Sequence, residues 1–218
     1  MSKKSILALS IILGVLAIDQ GIKIYIKLNY PLGIVKEFSD WAYLYFTENP
    51  GMAFGIEWGG KYGKLLLTLF RIFACGFGIW YIKHLIKKGE SSLFIASISL
   101  VLAGAIGNIL DSVFYGMFFT QSTDYEIAKF TVGNGYESVL HGKVVDMFYF
   151  PMFSGTFPKW LPIWGGEDFL FFRPIFNLAD ASITVGVFIL LLFQKKIQAH
   201  SFKISNTDSD SLSKHSDS

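Results

Sequence analysis

Four segments of this chain are apolar for close to the length of helix that crosses a hydrocarbon core, and that pattern narrows the fold more than any other feature. They run from about Ser5 to Ile26, Leu65 to Ile82, Ser92 to Leu110 and Ile175 to Phe193. A helix needs about 20 such residues to cross roughly 30 Å of hydrocarbon. Hydrophobic residues make up 52% of the 218 and charged residues only 17%, against about 25% charged in soluble domains. The pattern predicts a membrane protein, mainly α, with four transmembrane helices. Lys3-Lys4 and Val15-Leu16-Ala17 give the first segment the flanks of a cleaved signal peptide. Its helical pattern continues through Asp19 and Lys23 to Ile26, however, which favours a retained span.

Lysines orient the chain. Lys3 and Lys4 precede the first span, Lys83, Lys87 and Lys88 lie between the second and third, and Lys195, Lys196 and Lys203 follow the fourth. With four spans these clusters share one side, so the positive-inside rule predicts both termini in the cytoplasm. The loops at about Lys27–Lys64 and Asp111–Pro174 then face outward, and their many Trp, Tyr and Phe residues suit a membrane interface. The pattern reads as one membrane domain over residues 1–200 and a Ser/Asp/Lys-rich tail, 201–218, expected to be disordered. In the first outer loop, Trp41–Thr47 favours one or two strands and Asn49-Pro50-Gly51 a turn. In the second, Gly116–Gly142 has no helical period. Phe157–Phe172 reads as an amphipathic surface lobe, in which Trp160 and Trp164 are either interface anchors or ordinary interfacial packing.

A net charge of +2 and the lack of a basic run interleaved with aromatics exclude a nucleic-acid surface. The single cysteine, Cys75, permits no internal disulfide and reads as apolar packing. There is no His-Glu-x-x-His, Cys-x-x-Cys or Gly-x-Ser-x-Gly pattern, and His141 is the one histidine in an outer loop. Metal and serine chemistry therefore lack support, and neither a metal nor an organic cofactor is expected. Carboxylates remain. Asp146, in Val144-Val145-Asp146-Met147-Phe148, and Asp180, in Phe176-Asn177-Leu178-Ala179-Asp180, both adjoin strongly apolar sequence. A carboxylate there is costly unless paired, so it marks a candidate functional site. Two that share a site do not both ionise easily, which gives one acid and one base at neutral pH. That pair is the minimum equipment for hydrolysing an amide.

Other polar groups admit two readings each. Ala103–Asp111 holds small residues, with Asn108 and Asp111 three apart, which is either a packing seam with a polar cap or a set that orients the catalytic carboxylates. Asp19 and Lys23 stand at i, i+4 in the favourable order for an ion pair, either fixing helix depth or anchoring a polar loop on the membrane. Asn49–Gly55 is a turn, or a surface where Asn49 and Gly51 meet a substrate backbone. Arg71 falls inside the second span and needs a partner or a route to water.

Five blocks, in order over residues about 15 to 190, resemble the bacterial lipoprotein (type II) signal peptidases. They are Asp19–Lys23, Asn49–Phe54, Gly104–Asp111, Val144–Met147 and Phe176–Asp180. The resemblance implies Asp146 and Asp180 as a catalytic aspartyl pair, with Asn49, Gly51, Asn108, Asp111 and Asn177 supporting it and Asp19 and Lys23 in structural roles. It also implies four transmembrane helices that carry a small outer β-rich cradle, with Asp40–Ile56 contributing, and a short helix resting on the membrane. The implied activity is removal of signal peptides from diacylglyceryl-modified prolipoproteins at the outer face of the cytoplasmic membrane, by a monomer among membrane lipids. Two departures stand out. Ser112 follows Asp111 where many members carry arginine, with Arg71 a conceivable substitute, and the 116–142 and 153–172 stretches are longer than expected. Two rival readings are a proton-coupled carrier using Asp146 and Asp180 as a relay, and a scaffold whose carboxylates pair with Arg71 or Lys23. Four spans without an inverted repeat count against the carrier.

Overall fold

The computed structural model describes residues 2–50, 60–202 and 204, excepting the side chain at position 61. Helix α1 covers Lys3–Asn29, α2 Gly60–Lys88 and α3 Ser92–Leu110. From α3 the chain passes through a π-helical turn, Asp111–Tyr115, into the short helix α4, Gly116–Phe118. After the strands come α5, Leu178–Leu192, and α6, Gln194–Phe202, bent from each other by 65°. Lys3–Asn29, Tyr62–Lys88 and Ser92–Phe118 are long and apolar enough to cross a membrane, and α5 with α6 reaches that standard as a pair. The chain is therefore a mainly helical membrane protein, with three or four spans among the described residues.

Two boundaries depart from the apolar pattern. Ile175 and Phe176, the expected start of the last span, form strand β6 and pair with Tyr149 and Phe148. Hydrophobicity alone does not separate a buried strand from a helix over so short a run. Helix α6 continues through Ser201 and Phe202, and the Ser201 hydroxyl donates to the buried Glu90 carboxylate at 2.7 Å. Beyond that point the expected tail lies outside the described residues, apart from Ile204.

The chain divides into two compact units. One comprises the described parts of Met1–Gln20, Leu66–Leu110 and Leu178–Ser218. Its centre is the seam between α3 and α5, built from Ser97, Ala103, Gly104 and Gly107 on α3 and Ala179, Ser182 and Gly186 on α5. A Cβ at Gly104 would sit 2.2 Å from the Ala179 carbonyl oxygen, so only glycine lets the backbones approach this closely. Lipid is as apolar as leucine, so helices in a bilayer associate through such close packing and through polar contacts rather than by hydrophobic exclusion.

The other unit comprises Gly21–Leu65 and Asp111–Asn177. Strands β1 (Val35–Ser39), β2 (Ala42–Asn49), β3 (Val144–Tyr149) and β6 (Ile175–Phe176) form an antiparallel sheet in the order β1-β2-β3-β6. Its core gathers Ile26, Leu44, Phe46, Tyr115, Phe119, Val145 and Met147. The expected strands at Trp41–Thr47 are thus present. Strands β4 (Phe153–Thr156) and β5 (Asp168–Phe171) make a separate hairpin, which is the form the surface lobe takes.

Candidate active site

Alternation along β3 sets the direction of Asp146. Val145 and Met147 enter the core, so Asp146 emerges on the opposite face of the sheet. It is directly paired with Thr47 on β2, and Asn49 pairs with Val144, which puts Thr47 and Asn49 on the Asp146 face. Between Leu44 and Thr47 the register shifts by one residue, and such bulges re-aim side chains. Asp146 is only 4% exposed. Its Oδ1 accepts the side-chain amide of Asn177 at 2.6 Å, and Asn177 is delivered there by the pairing of β6 with β3.

The residue before Asp146 is held separately. Val145 N–H donates to Asp111 Oδ2 at 3.2 Å, and the same oxygen lies 2.9 Å from Lys23 Nζ. Asp111 and Lys23 are both fully buried, where opposite charges offset each other's loss of hydration. Asp111 opens the π-helical turn, a deviation frequent at functional sites. Lys23 accordingly reaches Asp111, a contact beyond the Asp19–Lys23 pairing that the spacing suggests.

Asp180 stands in the first turn of α5, where the helix dipole favours negative charge. Its Oδ1 accepts the side-chain amide of Asn108 at 2.8 Å. Again the preceding residue is tied to another carboxylate: Ala179 N–H donates to Asp19 Oδ1 at 2.9 Å. That amide is one of the donors a helix start leaves without an intrahelical partner. Gln20 Nε2 bridges Asp19 Oδ2 and the Gly107 carbonyl at 3.1 and 3.2 Å. A Cβ at Gly107 would come 2.8 Å from Asp19 Oδ2, so the glycine makes room for the carboxylate.

Asp180 and Asn108 line a cavity of about 350 Å³ between α2, α3 and α5. Arg71 shares that cavity and feels the Coulombic pull of Asp180, which names a partner for the arginine inside the second span. Ala74, Gly78, Val101, Leu102, Ala105 and Ile183 make the rest of the wall mostly apolar. Cys75 lines the same wall. Gly51, offered as a substrate contact, lies outside the described residues, as does the rest of its block beyond Pro50.

The model of the family described as signal peptidase (SPase) II matches residues 11–195. The chain belongs to the signal peptidase II family. The lipoprotein signal peptidase of Porphyromonas gingivalis is 50% identical over 184 residues, covering 84% of this chain and 80% of that protein. The lipoprotein signal peptidase of Amoebophilus asiaticus is 38% identical over 196 residues, covering 88% and 79%. A bacterial membrane enzyme solved by the in meso method at 1.9 Å resolution shares the fold, with a TM-score of 0.55 and 25% identity over 85% of this chain and 90% of its own. Membership of the signal peptidase II family makes this chain a peptidase and sets aside the carrier and scaffold readings.

One cluster in this signal peptidase II chain escaped the sequence patterns. Lys27 Nζ forms an ion pair with Glu48, Ser122 Oγ donates to the same Glu48 Oε1 at 2.8 Å, and Lys143 Nζ lies 3.9 Å from Oε2. The Tyr136 ring sits 5.0 Å from Lys27 Nζ, and its hydroxyl accepts Lys143 N–H at 2.6 Å. Burial pushes the Tyr136 phenol above its ordinary range. Lys27 falls four residues after Lys23, one helical turn on. That spacing is the one signal that pointed to it. Nothing marked Glu48, because its partners are up to 95 residues away in the chain.

Proposed function

We propose that this signal peptidase removes signal peptides from diacylglyceryl-modified prolipoproteins by aspartyl chemistry, with Asp146 and Asp180 as the catalytic pair. One observation carries the reading. Each aspartate receives a side-chain amide from an asparagine, and the residue before each is pinned through its backbone N–H to a further buried carboxylate. Groups held this way are preorganised, which lowers the cost of orientation during reaction.

In this mechanism one aspartate is ionised and takes a proton from a water molecule as its oxygen attacks the scissile carbonyl. The other is protonated and donates a hydrogen bond to the carbonyl oxygen as negative charge develops there. Collapse of the tetrahedral intermediate breaks the C–N bond, and the proton taken from water passes to the leaving amine. The acid and base roles belong to the pair as a unit. Asn108 and Asn177 each donate to a carboxylate oxygen and so hold the two carboxyl groups in position. Arg71 supplies positive charge beside Asp180, taking the place of the arginine that Ser112 replaces. The apolar wall of the cavity suits apolar residues of a signal peptide.

The lysine distribution supports an orientation with both termini in the cytoplasm and the site toward the outer leaflet, at the depth where a diacylglyceryl anchor would hold its cysteine. We assign the active form as a monomer surrounded by membrane lipid. The decisive experiment compares wild type, Asp146→Asn and Asp180→Asn, purified in detergent with matched thermal unfolding, on a diacylglyceryl-modified prolipoprotein. Cleavage by wild type and its loss in both folded variants is the expected result. Substantial cleavage by either variant removes that aspartate from the chemistry.

A further inference from the structure

The β4–β5 hairpin is amphipathic across its two faces. Phe153 pairs with Phe171 and Gly155 with Phe169, and these positions share a face with Phe157. Two aromatic pairs lie there. Phe153 and Phe171 stack at 4.5 Å, Phe157 and Phe169 lie 4.7 Å apart, and the Phe169 ring covers the position a Gly155 Cβ would fill. The opposite face carries Ser154, Thr156 and Asp168 together with one apolar residue, Leu170, paired with Ser154; the Thr156 hydroxyl donates to Asp168 at 2.7 Å. At the tip, Trp160 is 79% exposed, Ile163 85% and Trp164 53%, and Lys159 beside them is also exposed. The tip is an ordered turn, closed by Gly166 N–H donating to the Phe157 carbonyl and Glu167 N–H to that of Trp164, both at 3.0 Å.

A two-stranded hairpin is marginal in water by itself. Among the described residues these two strands pair with each other alone, and an aromatic face with an exposed Trp–Ile–Trp tip is a surface that needs cover. The covalent path indicates what covers it. Only Arg173 to Asn177 separate Phe172 from the first residue of α5, so a tether of at most roughly 20 Å joins the hairpin base to a helix that, with α6, is apolar enough to cross a membrane. Tryptophan next to lysine is the composition that settles at the boundary between headgroups and acyl chains. We propose that the hairpin lies in the membrane–water boundary, with its aromatic face and the Trp160–Trp164 tip on lipid and its Ser154–Thr156–Asp168 face toward water. It is the sheet counterpart of an interfacial amphipathic helix, and it adds a second lipid attachment to a chain already anchored by its spans.

Depth-dependent fluorescence quenching tests this. Trp41→Phe, Trp58→Phe and Trp80→Phe together leave Trp160 and Trp164 as the only indoles. That protein is reconstituted into phosphatidylcholine vesicles with or without lipids brominated near the headgroup end of the acyl chain. Retained prolipoprotein cleavage in detergent shows that the triple variant is folded. The expected result is blue-shifted emission, mostly lost with brominated lipid and resistant to aqueous acrylamide. Emission that ignores brominated lipid and is quenched by acrylamide overturns the proposal, leaving the hairpin in water. Emission shielded from both quenchers also overturns it and indicates a protein partner. Adding Lys159→Glu and Ile163→Ser provides a second reading, since an interfacial tip then shifts toward acrylamide quenching and a tip already in water does not.

Discussion

The carboxylate of Asp19 accepts the backbone N–H of Ala179 at 2.9 Å, so a residue near the start of the chain caps the helix that carries Asp180 one position later. Caps of this kind are worth about 0.5–2 kcal/mol, and this one lies at a buried helix start. Asp19→Ala should therefore lower the unfolding midpoint in detergent and reduce prolipoprotein cleavage together. Asp19→Asn keeps an acceptor for Ala179 and should recover part of both. Wild-type behaviour of Asp19→Ala in both assays would show the cap to be dispensable.

Asn108 and Asn177 each donate to a proposed catalytic carboxylate. Hydrogen bonds to charged groups contribute about 1.5–3 kcal/mol. Replacing either asparagine by alanine should lower kcat/KM by roughly 10- to 100-fold, at 1.36 kcal/mol per tenfold. Steady-state cleavage alongside thermal unfolding separates this from loss of fold, which the reading does not require.

Lys23 and Asp111 form a buried pair at 2.9 Å. Lys23→Met removes the cation beside a buried carboxylate and should cost about 3–5 kcal/mol. Adding Asp111→Leu removes that charge and should restore some of the loss. Full recovery is not expected, because the Val145 N–H loses its acceptor. Denaturant or thermal unfolding of the two single variants and the double variant measures the coupling.

Gly104→Ala places a methyl against the Ala179 carbonyl oxygen, where the ideal separation would be 2.2 Å. Overpacking of this kind costs about 1–3 kcal/mol, and the seam it wedges apart holds the start of the Asp180 helix. Stability and activity should both fall. Gly14→Ala, with nothing within 4 Å of the new Cβ, should change neither.

Tyr136 gives a pH signature. Its phenol is held above the ordinary range by burial, whereas in the unfolded chain it ionises near pH 10. The folded state therefore binds the proton more tightly. This contribution is fully present below about pH 10 and declines as pH rises through the folded-state value. Tyr136→Phe should flatten that alkaline decline and cost about 1 kcal/mol near neutrality, where Lys143 N–H loses its acceptor. Unfolding midpoints across an alkaline series check both.

The sequence by itself determined the membrane class, the helices α1 to α3, and the residue blocks that carry polar groups into apolar surroundings. Each of these is local, because a hydrophobic run or a carboxylate beside it carries its energetic cost wherever the chain goes. The third span shows this well, since its apolar run Ser92–Leu110 coincides with α3. Tertiary structure decided the partners. Asp19 meets Ala179 across 160 positions, and Glu48 meets Ser122 across 74, which no spacing rule encodes. It also decided that Ile175 and Phe176 become a strand, because an apolar pair takes whichever backbone partner is nearby, and here that partner is β3. Burial leaves every polar group needing a specific counterpart, and the geometry that supplies it exists only once the distant segments are packed together.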